Sequence, residues 1–154
     1  MAAGLDRIDL KILRALQEDG RIGNAELAKR VNTSPATCHR RTQRLFDEGY
    51  LRSVRGVVAP EKVGRGSLIL VGVVLDRSTP ESFSAFEAAA LAMPTLLDCH
   101  LVAGDFDYFL KIRVSDMADF NRMHSEILIA LPGVRQTRTF FVMKEVIDNA
   151  PLSL

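Results

Sequence analysis

The sequence has few of the residues that build disulfides, metal sites or membrane spans. Its 154 residues include no tryptophan and two cysteines, Cys38 and Cys99, which lie far apart and form no CxxC pair, so neither a disulfide framework nor a zinc site is predicted. The longest apolar run, residues 68–75, is too short to cross a bilayer. Charged residues interrupt residues 5–16 at every turn, which is unlike a signal peptide. We therefore expect a cytoplasmic protein that needs no cofactor and has no membrane partner.

Excess charge of one sign is also missing from the chain as a whole, which has a formal net charge of +1. The two parts differ, however. Residues 1–65 contain 13 Lys and Arg against 8 Asp and Glu, whereas residues 66–154 contain 7 against 11. A net charge of +5 in the first part and −4 in the second is what an anion-binding module joined to an acidic module would show.

Apolar residues at helical spacing predict three helices before residue 50. Their predicted N-terminal caps are Asp6, Asn24 and Ser34, and the third helix follows a tight turn and ends at Gly49. The valine-rich residues 50–60 are predicted to form a strand, and residues 61–66 a linker. We interpret residues 1–60 as a winged-type helix-turn-helix domain.

The third helix contains the segment SPATCHRRTQRL at residues 34–45. On a helical wheel Cys38, Thr42 and Leu45 form a stripe that would pack inward, opposite Thr37, Arg40, Arg41 and Arg44. A helix-turn-helix presents its second helix to the DNA major groove in this way, and arginine can bind guanine or phosphate. The alternative is an ordinary solvated helix face. We predict binding of double-stranded DNA through Ser34, Thr37, His39, Arg40, Arg41 and Arg44.

Strand and helix patterns alternate after residue 66 in the order β, α, β, β, α, β. That order is the ferredoxin-like arrangement, so residues 67–154 are predicted to form a four-stranded antiparallel sheet with two helices on one face, and the whole chain is of the α+β class. The apolar residues predicted to face inward from the two helices are Phe83, Phe86, Ala90, Met93, Met117, Phe120, Ile127, Leu128 and Leu131. The opposite face of the sheet, with Phe109, Phe140, Val142 and Val146, is expected to meet a second subunit.

Asp105 and Asp107 share a face if residues 105–107 are extended, which would suit an acid/base pair or a cation site. A calcium loop starting at Asp105 would need glycine and glutamate where Leu110 and Asp116 stand, so calcium is not predicted. A simple hairpin turn is the other interpretation of this segment. The sequence offers no defensible pair of nucleophile and base, so an enzyme is not predicted.

These stretches together resemble the Lrp/AsnC, or feast/famine, family of transcriptional regulators. LDRIDLKILRALQEDGRIGNAELAKRV and TSPATCHRRTQRL are similar to the helix-turn-helix of that family, and CHLVAGDFDYFLK and LPGVRQTRTFFVMKEV to its ligand-sensing domain. The resemblance implies a homodimer joined through the sheets, assembly into larger oligomers with an octamer favoured, and association with the nucleoid.

The resemblance also implies that a small amino acid, leucine or another apolar one, binds between dimers. The residues that would form this effector site are Leu101, Gly104, Asp105, Asp107, Thr137 and Thr139. A carboxylate suits the ammonium group of an amino acid, and backbone N–H groups and hydroxyls suit its carboxylate. The identity of the effector, the operator, and the choice between activation and repression stay open. An architectural protein that compacts DNA with little sequence preference is an alternative.

Overall fold

A computed structural model describes residues 4–154 of the chain. They form two compact units, an N-terminal unit of the residues up to Val57 together with Ile147–Leu154, and a C-terminal unit of Val58–Val146. The last eight residues, which we predicted within the second domain, thus pack with the first. Gln17 holds this tail, because the backbone N–H of Leu152 donates to Gln17 Oε1 at 2.7 Å and Gln17 Nε2 donates to the Leu152 carbonyl at 3.2 Å.

Three helices build the N-terminal unit: α1 (Arg7–Glu18), α2 (Asn24–Arg30) and α3 (Pro35–Asp47). The caps predicted at Asp6 and Ser34 are confirmed, since both side chains accept hydrogen bonds from backbone N–H groups of the first turn. The cap predicted at Asn24 is wrong. Gly23 is the N-cap of α2, and the Asn24 amide instead donates to the Pro35 carbonyl at 2.9 Å, bridging α2 to the start of α3.

The core of the N-terminal unit comes from one face of each of the three helices, and on α3 it includes Cys38 and Leu45 as predicted. Asn32, with a φ of 57°, makes the tight turn between α2 and α3, a conformation that asparagine tolerates better than most residues. The buried side chains are Ile12, Leu13, Ala15, Leu27, Ala28, Val31, Cys38 and Leu45. Burial raises the pKa of the Cys38 thiol, in keeping with a small core residue.

The strand predicted at residues 50–60 is wrong. Residues 51–59 pair with no strand within the described residues 4–154, and a short 3₁₀ turn at Pro60–Val63 follows them. Valine content indicates a preference for extended backbone, but a strand also needs a partner for its hydrogen bonds. The three helices of the helix-turn-helix are therefore present without a wing strand in the described chain.

The C-terminal unit has the predicted ferredoxin-like order, with an antiparallel sheet arranged β2-β3-β1-β4. Its elements are β1 (Ser67–Leu75), α4 (Pro80–Leu91), β2 (Leu96–Leu101), β3 (Tyr108–Val114), α5 (Met117–Glu126) and β4 (Val134–Phe141). Alternate residues of β1 and β3 pack with α4 and α5 in one core. The other face of the sheet carries no helix of this unit, and we call it the open face.

Most side chains predicted to face inward from α4 and α5 are buried, including Phe86 and Phe120. Met117 and Ile127 are exceptions, with 53% and 37% of their surface exposed. Helix α5 ends at Glu126 and a 3₁₀ turn follows at Leu128–Ala130. This change of helical pitch rotates Ile127 outward while keeping Leu128 fully buried. Between residues 4 and 154, no helix combines the length and apolar character needed to span a membrane.

Candidate functional site

One face of α3 is exposed along its whole length. The exposed side chains follow a spacing of three or four residues and are Ala36, His39, Arg40, Gln43 and Asp47. Neither the His39 side chain nor the Arg40 side chain has a hydrogen bond or ion pair with another residue of 4–154, while Gln43 Nε2 donates to Asp47 Oδ1 at 2.9 Å. Gln43 was not among the predicted DNA contacts, although its place on the same stripe is visible in the sequence. We call His39, Arg40 and Gln43 the outward face of α3.

Ser34 and Thr37 lie at the first turn of α3 and bind each other. The Thr37 backbone N–H donates to Ser34 Oγ at 3.2 Å, and the Ser34 hydroxyl donates to Thr37 Oγ1 at 2.9 Å. Ser34 is exposed and Thr37 is half-buried. Their hydroxyls therefore fix the start of the helix, and both stand at the end that a helix-turn-helix directs toward bases.

Arg41 and Arg44 do not point outward with Arg40, which corrects the helical-wheel placement. Both turn toward α1, where Arg41 Nη1 contacts Asp9 Oδ1 at 2.9 Å and Arg44 Nη2 contacts Asp9 Oδ2 at 2.6 Å. Arg41 also reaches Asp6 Oδ2 at 2.6 Å. The wheel gives directions around one helix, and it cannot show that the neighbouring helix begins with two carboxylates there.

The carboxylates of Asp6 and Asp9 form the capping box of α1. The Asp9 N–H donates to Asp6 Oδ1 at 2.9 Å, and the Asp6 N–H donates to Asp9 Oδ2 at 3.0 Å. These bonds, with the arginines, join the first turn of α1 to the middle of α3. We call Asp6, Asp9, Arg41 and Arg44 the carboxylate–arginine cluster.

Electrostatics keeps this cluster charged. The hydrogen bond from the Asp9 backbone, followed by that from Arg41, lowers the pKa of Asp6 to about 2. Burial alone would raise the pKa of Asp9, whose side chain is 1% exposed, but hydrogen bonds from the Asp6 backbone, Arg41 and Arg44 outweigh it and lower that pKa. The same carboxylates raise the pKa values of both arginines. The four groups are thus ionised at neutral pH.

The predicted effector residues Gly104, Asp105 and Asp107 lie in the hairpin between β2 and β3. Asp107 fastens this hairpin to β1, because its Oδ2 accepts from the Leu75 N–H at 2.8 Å and its own N–H donates to the Val73 carbonyl at 2.9 Å. Asp105 is exposed and has no hydrogen-bond partner within the described residues 4–154. The two aspartates therefore do not act as a pair, and Asp105 is the carboxylate that stands open to a ligand.

Thr137 and Thr139 lie on β4, away from the hairpin. Strand β1 separates them from β3, with Val73 paired to Thr137 on one side and to Tyr108 on the other. Two strand spacings amount to roughly 10 Å. The Thr137 hydroxyl lies 3.3 Å from His124 Nε2 of α5. A single chain therefore does not bring the six predicted effector residues into one pocket.

Leu101, at the end of β2, lines a cavity of about 210 Å³ on the α4 side of the sheet. The other lining residues are Glu87, Ala90, Leu91, Cys99 and Tyr108. The Tyr108 hydroxyl donates to Glu87 Oε1 at 2.7 Å. Burial, followed by this bond to a carboxylate, raises the pKa of Tyr108. Burial likewise raises the pKa of Cys99, so neither group is prepared for nucleophilic chemistry.

Aromatic rings cover part of the open face. Phe106 lies 5.1 Å from Phe109 and 6.4 Å from Phe140 between ring centroids, and the Arg138 guanidinium stands 5.7 Å from the Phe106 ring centre. The ring of Phe106 sits directly over Gly72, where a Cβ atom would be 2.7 Å from it.

The described residues contain no group of three metal-binding side chains.

Comparison with known proteins assigns these two units. The family model for the AsnC-type helix-turn-helix domain matches residues 5–45, and that for the Lrp/AsnC ligand binding domain matches residues 68–152. The leucine-responsive regulatory protein of Salmonella typhimurium is 45% identical over 142 residues, which are 92% of this chain and 87% of that protein. The chain belongs to the Lrp/AsnC family.

Solved structures of Lrp/AsnC regulators have the same fold. The transcriptional regulator NMB0573 of Neisseria meningitidis, in complex with L-Met, has a TM-score of 0.91 at 34% identity, over 97% of this chain and 96% of that one. An AsnC family regulator of Agrobacterium tumefaciens also has a TM-score of 0.91, at 30% identity and 97% coverage of both chains. This Lrp/AsnC protein is a DNA-binding transcriptional regulator with a ligand-binding domain, and is not an enzyme.

Proposed function

We propose that this regulator reads double-stranded DNA with the outward face of α3 and adjusts its binding to the level of an apolar amino acid. Arg40 carries the first part of the proposal. It is the α3 arginine that the carboxylate–arginine cluster leaves without a partner, and it stands beside His39 one turn after the helix begins. Arginine there can bind guanine through two hydrogen bonds, and glutamine at position 43 can bind adenine in the same manner.

A second copy of the chain supplies the other half of the DNA site in this proposal. The open face of the sheet supports it, because Phe106, Phe109 and Phe140 leave an aromatic surface there, with 41% of Phe140 exposed. Aromatic residues are enriched in the centres of protein interfaces. Two-fold symmetry then leads to a roughly palindromic operator whose half-sites lie one helical turn or a multiple apart.

The effector proposal rests on Asp105 and on the named relatives. Curated relatives are leucine-responsive regulatory proteins, and the Neisseria regulator was solved with L-Met. An amino acid of this apolar class would place its ammonium beside the Asp105 carboxylate. Gly104 offers backbone close to it, with a φ of 152° that side chains rarely adopt.

Within one chain strand β1 lies between this hairpin and Thr137 and Thr139. We therefore propose that the two threonines meet the hairpin of a neighbouring chain. Leu101 would then contact an apolar part of the effector. Such a site forms only in a higher oligomer, for which an octamer is our proposal. The effector then shifts the assembly by its different affinity for the two forms. A location in the cytoplasm, in association with the nucleoid, fits this role.

One experiment tests the proposed function as a whole. Duplexes selected from a random pool by the wild-type chain are compared with random duplexes by fluorescence anisotropy, at two salt concentrations and with each of the twenty amino acids. We expect tighter binding of the selected duplexes, with a change in affinity and in light-scattering mass on adding leucine or methionine. Equal binding of both duplex sets would instead indicate an architectural protein that contacts phosphates only.

The Asp105→Ala variant separates the two halves of the proposal. It should keep the DNA affinity of the wild type and lose the response to the amino acid. The matched control is Asp98→Ala, which removes an exposed carboxylate of β2 outside the hairpin. A wild-type response in the Asp105→Ala variant would exclude Asp105 as the ammonium partner.

A further inference from the structure

Two arginines that the sequence assigns to DNA are already bound within the protein. Arg41 and Arg44 are 21% and 33% exposed, and both meet Asp9, which is 1% exposed. Arg44 also faces Glu48 at 3.3 Å and the carbonyl of Gly4 at 3.4 Å. A phosphate would have to displace these partners and leave a buried carboxylate uncompensated, which is strongly unfavourable.

The charges around these arginines also oppose direct phosphate binding. The two guanidinium groups face three carboxylates, those of Asp6, Asp9 and Glu48. The local net charge is therefore −1. Arg40, by contrast, brings a positive charge that no described residue neutralises.

The geometry of the bonds indicates what the arginines do instead. Arg41 and Arg44 are three residues apart, so they lie on one side of α3, and both reach a single carboxylate held in the capping box of α1. Fixing two adjacent turns of α3 against the first turn of α1 fixes the rotation of α3 about its own axis. The side that this rotation turns outward carries His39, Arg40 and Gln43.

We propose that Asp9, Arg41 and Arg44 are positioning residues that set the rotation of α3, and that they do not contact DNA. This inference rests on the proposed DNA-binding function and deepens it. Operator affinity then depends on Asp9, although this residue lies on α1 and is far in sequence from the outward face of α3. It also assigns sequence reading to the residues that the cluster leaves outside.

Substitution of Asp9 distinguishes the two roles by the sign of its effect. If Arg41 and Arg44 bound phosphate, Asp9→Asn would release them and tighten DNA binding. If they position α3, the same change weakens binding of the selected duplex, on the order of tenfold for a misplaced base contact. Glu18→Gln is the matched control, because it removes an exposed carboxylate from the other end of α1.

Salt dependence provides the second readout, which a loss of stability alone would not move. Each lost phosphate contact lowers the slope of log K against log[salt] by about 0.9. We expect Arg44→Gln and Arg41→Gln to weaken binding of the selected duplex and to keep the wild-type slope. Since Arg44 and Asp9 act through one contact, Asp9→Asn combined with Arg44→Gln should weaken binding less than the product of the single effects.

The experiment measures anisotropy of the selected duplex against these full-length variants, after circular dichroism has verified their helix content. Tighter binding by Asp9→Asn than by Glu18→Gln, or a lower slope for Arg44→Gln, would overturn the inference. Wild-type affinity of both Asp9→Asn and Arg44→Gln for the selected duplex would also overturn it. Should Asp9→Asn fail to fold, the slopes of the two arginine variants still decide. A wild-type chain that does not prefer the selected duplex would overturn the proposed function itself, and with it the role of the cluster.

Discussion

Substitution of Gly72 by alanine tests the packing of the open face. Gly72 lies in β1 between Phe109 of β3 and Arg138 of β4, and an added Cβ would stand 2.7–2.8 Å from three ring atoms of Phe106. One of these atoms is Cγ, at the root of the ring, so rotation of the ring alone cannot relieve the contact. The backbone next to Phe106 is fixed as well, because the Asp107 N–H donates to Val73.

Two opposing effects decide the magnitude for Gly72→Ala. Overpacking costs about 1–3 kcal/mol, and moving the Phe106 ring also weakens its contact with Phe109, worth about 0.5–1.5 kcal/mol for an aromatic pair. Against this, replacing glycine by alanine stabilises by about 0.4–1 kcal/mol through the unfolded chain. The cost of overpacking exceeds the gain through the unfolded chain. We therefore expect Gly72→Ala to lower the free energy of unfolding of the C-terminal unit by about 1–2 kcal/mol.

Tyrosine fluorescence makes this unit separately visible. The chain has two tyrosines, so in a Tyr50→Phe background the buried Tyr108 reports urea unfolding of the C-terminal unit alone. Titrations at several protein concentrations separate folding from subunit association. Gly66→Ala is the matched control, since an added Cβ there would meet Glu61 at an ordinary 3.7 Å.

Removing the ring gives the decisive comparison. In a Phe106→Ala background the space above Gly72 is open, so Gly72→Ala should be neutral or slightly stabilising. An equal cost in the presence and absence of the Phe106 ring would refute the contact as the cause.

Three further predictions concern stability. Leu45→Ala, at a fully buried position of α3, should lower the free energy of unfolding of the N-terminal unit by about 2–5 kcal/mol in urea titrations followed by circular dichroism, and a cost below about 1 kcal/mol would contradict the assigned core. The pKa of Asp6 falls from 3.8 to about 2 on folding, first through the hydrogen bond from the Asp9 backbone and then through that from Arg41. Its stabilisation is therefore full above about pH 5 and is lost as the pH falls toward 2. Asp6→Asn should flatten that acid limb in thermal melts, and an unchanged limb would count against these two bonds to the Asp6 carboxylate. Asp107→Ala leaves the Leu75 N–H without its acceptor, so it should lower the free energy of unfolding by about 1–3 kcal/mol in the tyrosine-monitored titration. Asp105→Ala should change that free energy by less than about 0.5 kcal/mol. Equal changes in the two variants would contradict the different roles of the two aspartates.

Local signals in the sequence predicted most of the fold. The caps at Asp6 and Ser34 were confirmed, because a capping side chain and its acceptors lie within one turn of each other. The ferredoxin-like order was confirmed as well, since strand and helix periodicities differ clearly. Residues 51–59 were predicted wrongly because strand formation depends on a partner that local composition does not specify.

The candidate site was less predictable, because it depends on contacts between elements. Arg40, Arg41 and Arg44 look equivalent in sequence, and their different environments come from Asp9, more than thirty residues earlier in the chain. Had all three arginines been held in ion pairs, the DNA-reading hypothesis would have lost its basis. Of these three arginines, only Arg40 has no ionic partner within the described chain. The DNA-reading hypothesis therefore depends on Arg40.

The base preference of the Arg40→Gln variant tests the central claim most directly. Parallel selection from the same random pool gives a preference at every position of the operator for the wild type and for the variant. We expect Arg40→Gln to lose about 1–3 kcal/mol of discrimination at one position in each half-site and to keep the preferences elsewhere. An unchanged profile, with the same preference at every position, would contradict the assignment of DNA reading to the outward face of α3.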